Sequence, residues 1–346
     1  MDKRQNLLYI WCDAPALGRG IQEGMFSMNR SLRANLLLTL TALIWGVAFV
    51  AQDVAANRLG PFSFNGLRMA LAALALVPVV LVMDRRAQAA HTADEENTGA
   101  GVPIARMSAA QRKTLLTGGL CCGVMLTLGS VFQQLGISMG TGAGKAGFIT
   151  ALYIVLVPLI GLFTHKRVRR LVWVAVALSA VGLYLLCVKG GFSIDPGDGM
   201  LMLCALCFSG HILVVDFFSR KTDCVKMSCI QFAVVSVLCL LGAACTEQLT
   251  WQAVRECAVP ILYAGVMSGA MGYTLQIVAQ KDTDPTIASL LMSLESVFAV
   301  LAGWIILGDR LSARELLGCL FMMAAIVLAQ LPGESASRRK TKTANG

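Results

Sequence analysis

Ten apolar runs follow one another along this chain, each near the ~20 residues a helix needs to cross a bilayer. They cover residues 34–55, 62–83, 114–137, 142–163, 171–188, 199–218, 225–246, 259–280, 285–307 and 313–331. The longest connection, 84–113, has an acidic, small-residue centre around 94–101 that reads as unstructured. Only THKRVRR, residues 164–170, divides the fourth run from the fifth. Runs of this length predict an all-α integral membrane fold. The run at 285–307 organises the rest, because it carries a carboxylate, Glu295, near its middle. A charge at that depth is costly and belongs on a face turned to protein or water.

The connecting charges orient the bundle. With the amino terminus inside, the inner segments collect 22 of the 29 Lys and Arg and the outer loops 6, with Arg68 inside a run. Lys and Arg concentrate on the cytoplasmic side of membrane proteins. The split predicts ten spans with both termini cytoplasmic, in the inner or plasma membrane. Residues 1–27 show no apolar core followed by a cleavage site, so no signal peptide is read. The expectation is a disordered cytoplasmic tail over 1–33, with Met28 a candidate native start, and a second tail over 333–346.

Composition agrees. The chain is 56% hydrophobic and 14% charged, against about 25% charged in soluble domains, and its mean hydropathy is +0.69. A net charge of +9 lies in short connections, so it signals topology and no nucleic-acid partner is expected. Most of the twelve cysteines sit within apolar runs, as reduced small hydrophobes do. Cys204 and Cys207 form a CxxC without a second pair, so no metal or other cofactor is expected. No GxxxxGK[ST] loop is present for direct ATP use.

The two halves resemble each other. At an offset of 163, Trp45 meets Phe208, Asp53 meets Asp216 and Arg68 meets Gln231. At an offset of 142, Gln134 meets Gln276, Thr141 meets Thr283 and Tyr153 meets Glu295. The expected units are 34–190 and 198–332, five spans each. Five is odd, so the second copy enters the membrane inverted. Inverted copies place a binding site near the midplane between them.

The chain resembles the drug/metabolite transporter superfamily, specifically its EamA-type members. The residues that carry this are Ala42-Leu43-Ile44-Trp45-Gly46, Phe62 with Arg68, Gly147-Phe148-Ile149-Thr150-Ala151-Leu152 with Pro158, Leu294-Glu295-Ser296-Val297-Phe298-Ala299, and Leu307-Gly308-Asp309-Arg310-Leu311. The family usually has Glu where Asp309 stands. The resemblance implies ten helices in two inverted five-helix repeats that move small organic metabolites.

Polar and aromatic residues at membrane depth are the candidate substrate-binding set: Trp45, Asn65, Arg68, Gln134, Thr150, Tyr153, His211, Gln231, Tyr273, Gln276 and Glu295. Glu295 is read as a protonatable cavity group, or as the partner of Arg68 in a buried ion pair. Arg68 is read as snorkelling, structural, or holding a carboxylate bidentately. His211 is read as a proton relay or as an interhelical hydrogen bond. Gln133 and Lys145 are further candidates. The glycines at 119 and 123, and at 265 and 269, form GxxxG packing surfaces.

These features predict a secondary transporter of small, amino-acid-like or drug-like solutes working by alternating access, and no catalytic residues. An intramembrane enzyme and a membrane scaffold or receptor are the rival classes. The expected partners are a small-molecule substrate and the lipid bilayer. Protons are a candidate coupling ion, and a homodimer is a candidate assembly.

Overall fold

The computed structural model describes residues 30–93, 102–141, 143–163, 170–187, 195–302, 304–305 and 312–330. Among these the chain forms helices and turns, with no strand. In order the α-helices are α1 Arg30–Ala56, α2 Pro61–Ala93, α3 Ala109–Ser138, α4 Ala143–Thr150, α5 Tyr153–Phe163, α6 Arg170–Cys187, α7 Pro196–Ser219, α8 Cys224–Thr246, α9 Trp251–Glu256, α10 Ala258–Leu262, α11 Thr274–Gln280, α12 Pro285–Met292, α13 Glu295–Ala302 and α14 Ala313–Gln330. A π-helical stretch, Tyr263–Tyr273, joins α10 to α11. Seven described segments are long and apolar enough to cross a membrane, and two shorter apolar helices, Ala146–Leu162 and Arg170–Leu185, accompany them. Residues 1–29 and 333–346 of the expected tails, the expected unstructured centre 94–101, residues 164–169, Asp309-Arg310-Leu311 and the side chain of Lys145 lie outside the described residues, while α1 already begins at Arg30, inside the tail expected over 1–33.

The outer surface of the bundle is apolar. Leu74, Leu120, Leu241 and Leu320 are each more than half exposed, which suits lipid. Helix starts follow capping chemistry. Ser108 and Gln111 form a reciprocal capping box on α3, and the Asp223 and Asp284 carboxylates accept backbone N–H groups at the starts of α8 and α12.

Close backbone approach depends on glycine at a few contacts. A Cβ on Gly119 or Gly123 of α3 would strike Ile230 or Val234 of α8, at 2.4 and 2.6 Å. A Cβ on Gly265 or Gly269 of the π stretch would come within 2.8 Å of the Arg68 carbonyl or the Ala72 Cβ of α2. Both GxxxG pairs therefore act as packing surfaces. Gly46 of α1 has the same role against α13, where a Cβ would lie 2.5 Å from the Phe298 Cβ and 2.7 Å from the Glu295 carbonyl.

Two clasps tie α2 to α8. At one end Lys226 Nζ donates to Asp84 Oδ1 at 2.7 Å and to the Val102 carbonyl at 2.8 Å, while Asp84 also accepts from the Ile104 N–H. At the other end the Glu247 carboxylate accepts the Phe62 and Ser63 N–H groups at 2.8 and 2.7 Å, capping α2. Asp84 and Glu247 are 163 positions apart, as are Ser63 and Lys226. The same two positions hold each clasp, with an ammonium serving at one and backbone amides at the other.

The run around Glu295 is not one continuous α-helix. Between α12 and α13 the chain tightens, with Leu294 N–H on Leu291 C=O and Ser296 N–H on Ser293 C=O. The Ser289 and Ser293 hydroxyls donate to the carbonyls three residues back, competing with the α-helical ladder. The junction of α4 and α5 does the same 142 positions earlier, with Leu152 N–H on Ile149 C=O and Ile154 N–H on Ala151 C=O. Short tightened turns inside helices often sit at functional hinges.

Candidate functional site

α1, α7 and the two tightened junctions enclose a cavity with about 480 Å³ of empty space, including its mouth. Its α1 wall is Trp45, Ala48, Phe49 and Gln52, one helical face at i, i+3, i+4 and i+7. Much of the lining falls into pairs at the two repeat offsets. Trp45 pairs with Phe208, Ala48 with His211 and Phe49 with Ile212 at 163; Thr150 pairs with Met292 and Tyr153 with Glu295 at 142. Arg68, Gln133, Ser268, Tyr273 and Gln276 complete it.

The polar groups divide into those held and those left open. Tyr153 Oη donates to Glu295 Oε1 at 2.8 Å, both residues being buried. Glu295 follows the tightened turn directly, so the turn aims it inward. Arg68, 2% exposed, donates from Nε to Asn65 Oδ1 at 2.9 Å, and its Nη2 has no hydrogen-bond partner. Among the described residues no ion pair joins Arg68 to Glu295. The expected buried pair is thus absent, and snorkelling is excluded by burial. Arg68 is instead tethered one turn back on its own helix, and the partner of Glu295 is a neutral phenol.

His211 shares a 3.1 Å hydrogen bond with Gln231 Oε1 of α8, which is the interhelical reading of that histidine. Its ring stands edge-on to Tyr273, and Trp45 packs tilted against Tyr273 at 4.6 Å between centroids. The Trp45 Nε1–H donates to the Ser268 carbonyl at 3.2 Å, and Tyr263 Oη to the Ile44 carbonyl at 3.0 Å. These contacts fasten α1 to the π stretch, whose glycines let the backbones approach.

Of the residues expected from sequence, Trp45, Arg68, Thr150, Tyr153, His211, Tyr273, Gln276 and Glu295 line the cavity. Asn65, Gln134 and Gln231 stand behind it. Asn65 holds Arg68 and donates to the Ser130 and Pro61 carbonyls; Gln134 donates to the Gln52 carbonyl; Gln231 holds His211. Sequence reasoning missed Phe49, Gln52, Phe208, Ser268 and Met292. The helical register from Trp45 points to Phe49 and Gln52, and the 163 offset points to Phe208. Cys204 and Cys207 are free thiols, with Cys204 Sγ 3.8 Å from Thr150 Oγ1.

An apolar helical bundle enclosing a charged cavity is the build of a multi-pass membrane protein that handles a solute in its interior. The chain belongs to the EamA-like transporter family, whose pattern matches residues 32–188 and again 195–331. A protein of Archaeoglobus fulgidus described as an uncharacterized transporter is 28% identical over 312 residues, 90% of each chain. A protein crystal structure superposes with TM-score 0.66 over 86% of this chain and 96% of that one, at 17% identity, a likeness of fold.

Proposed function

We propose that this membrane transporter is a ten-span secondary carrier of small organic solutes, amino-acid-like or drug-like. Its two five-helix copies, 34–190 and 198–332, lie inverted in the plasma membrane with both termini cytoplasmic. The observation that carries the reading is the cavity's paired lining, in which equivalent positions of the two copies face each other. A seam between two such copies opens to either side when one copy moves against the other.

The packing supports the same reading. Exchanging the copies turns the α3–α7 contact into that of the segment 258–280 with α1, and α3–α8 into that of 258–280 with α2; all four occur. The α1–α13 contact exchanges with contacts of α4 and α5 on α7, which also occur. The α2–α8 and α6–α14 contacts exchange with themselves. On this topology the two clasps lie one at each membrane face, so a two-fold axis in the membrane plane interconverts them.

Counterflow in proteoliposomes tests the function. Purified full-length protein preloaded with unlabelled amino acids is expected to accumulate the labelled counterparts saturably, above protein-free vesicles. Absence of flux across amino acids and neutral drug-like solutes sinks the carrier reading. Reporter fusions at Glu95, Arg167 and Arg339 are expected to read cytoplasm, and fusions at Asp195 and Gln248 the outside. One reversal breaks the ten-span topology.

A further inference from the structure

We infer that Arg68 is the anchor for a carboxylate, and that the solutes held in this cavity are organic acids or zwitterions carrying one. The inference rests on the carrier reading for its physiological meaning, while the site itself rests on geometry. Arg68 is buried, lines the cavity, and lies at membrane depth. A cation there needs a counter-charge or a full set of acceptors. Among the described residues it has one acceptor, Asn65 Oδ1 on Nε, and Nη2 has none.

The neighbourhood holds the guanidinium in place without neutralising it. Asn65 is itself fixed, donating to the carbonyls of Ser130 on α3 and Pro61 on α2. Phe64 lies 5.5 Å from the guanidinium carbon, and this face of the ring attracts a cation without satisfying its N–H groups. With Nε tethered, the two terminal nitrogens remain as a planar fork, whose geometry matches a carboxylate. The cavity's own carboxylate, Glu295, is engaged by Tyr153 and makes no ion pair with Arg68. The equivalent of Arg68 in the other copy is Gln231, whose amide oxygen is taken by His211. The charge is therefore present in one copy alone, and no pseudo-equivalent group cancels it. Trp45, Phe49 and Tyr273 line the same cavity, an aromatic surface suited to the apolar body of a bound acid.

Melting curves of the purified full-length protein test this with matched probes: L-leucine, 4-methylpentanoate, L-leucinamide and isopentylamine, then the acid and amide forms of the other common amino acids. Acids are expected to raise the melting temperature with half-saturation at least about tenfold below their amides, the scale of a hydrogen bond to a charged group. Arg68→Gln is expected to abolish the preference, and Arg68→Lys to retain part of it. Should either variant fail to fold, the acid–amide comparison on the natural protein decides alone. Amides or amines binding as well as acids, or no acid shifting the melt, overturns the inference. So does a folded Arg68→Gln that keeps the preference. Counterflow separates the two readings. Flux of neutral or cationic solutes only removes the carboxylate site and leaves the carrier. Acids that bind but never cross remove the carrier and leave the site.

Discussion

Tyr153 and Glu295 stand at the same position of the two copies, 142 residues apart, and are hydrogen-bonded to each other at 2.8 Å. On the proposed two-copy architecture, equivalent residues meet only where they flank the axis that relates the copies, so this bond would mark the centre of the seam. Each follows a tightened helical turn, which brings two side chains from different halves to one point.

The bond sets the first prediction. Tyr153→Phe removes the phenolic donor from a buried carboxylate and is expected to cost about 1.5–3 kcal/mol, the range for hydrogen bonds to charged groups. In a double-mutant cycle, Tyr153→Phe and Glu295→Gln should couple by more than about 0.5 kcal/mol. Arg68→Met and Glu295→Gln should add, because the two side chains do not touch. Thermal or denaturant unfolding in detergent reads both cycles. Strong Arg68–Glu295 coupling would show that the two meet in the populated state after all.

The helices were legible in the sequence because burial in lipid demands long apolar runs, and the 142 offset already aligned Tyr153 with Glu295. That they touch was not legible. Equivalence in two copies says nothing about distance until the copies are packed. The opposite charges of Arg68 and Glu295 suggested a pair, yet Asn65, one turn from Arg68 on α2, holds the guanidinium locally. The tightened turns were hidden as well, since Ser289 and Ser293 look like ordinary small residues in an apolar run. The roles of Asn65, Gln134 and Gln231 behind the wall need side-chain directions that spacing alone does not supply.

Backbone contact makes the second prediction. Gly46→Ala places a methyl 2.5 Å from the Phe298 Cβ and 2.7 Å from the Glu295 carbonyl, so α13 must move and carry Glu295 with it. Gly265→Ala meets the Arg68 carbonyl at 2.8 Å and displaces the other charged residue. Each is expected to cost about 1–3 kcal/mol by overpacking. Gly199→Ala, with nothing within 4 Å, is the control and should be neutral or stabilising by up to about 1 kcal/mol. Equal melting temperatures for all three variants would refute these contacts.

The clasps make the third. Lys226 is 3% exposed and Asp84 14%, so removing the ammonium with Lys226→Met leaves a mostly buried carboxylate unpaired, at a cost of about 3 kcal/mol or more. Adding Asp84→Asn should recover part of that loss. Glu247→Gln keeps one acceptor for two N–H groups and should cost about 0.5–2 kcal/mol, the range of a helix cap. Unfolding curves measure all three variants. A double variant no more stable than Lys226→Met alone would mean that the Val102 carbonyl, and not Asp84, carries the interaction.

The fourth concerns protons. Around Glu295, the ionisable cavity residues are Tyr153 and Tyr273, with His211 and Arg68 further along the wall. Glu295 is the sole carboxylate among the described lining residues, and its protonation changes the charge at the seam itself. A group in that place biases the inward–outward equilibrium by as much as its interactions differ between the two states. Counterflow between about pH 5.5 and 8, a range open to desolvated carboxylates, is therefore expected to be pH-dependent in the natural protein. Glu295→Gln should flatten the profile while leaving the protein folded, because the amide oxygen still accepts from Tyr153. His211→Gln separates the alternatives, since that ring is committed to Gln231 and its loss should leave the profile's shape intact. A Glu295→Gln carrier with the natural pH profile would assign the proton elsewhere. A flat profile in His211→Gln would move it to the imidazole.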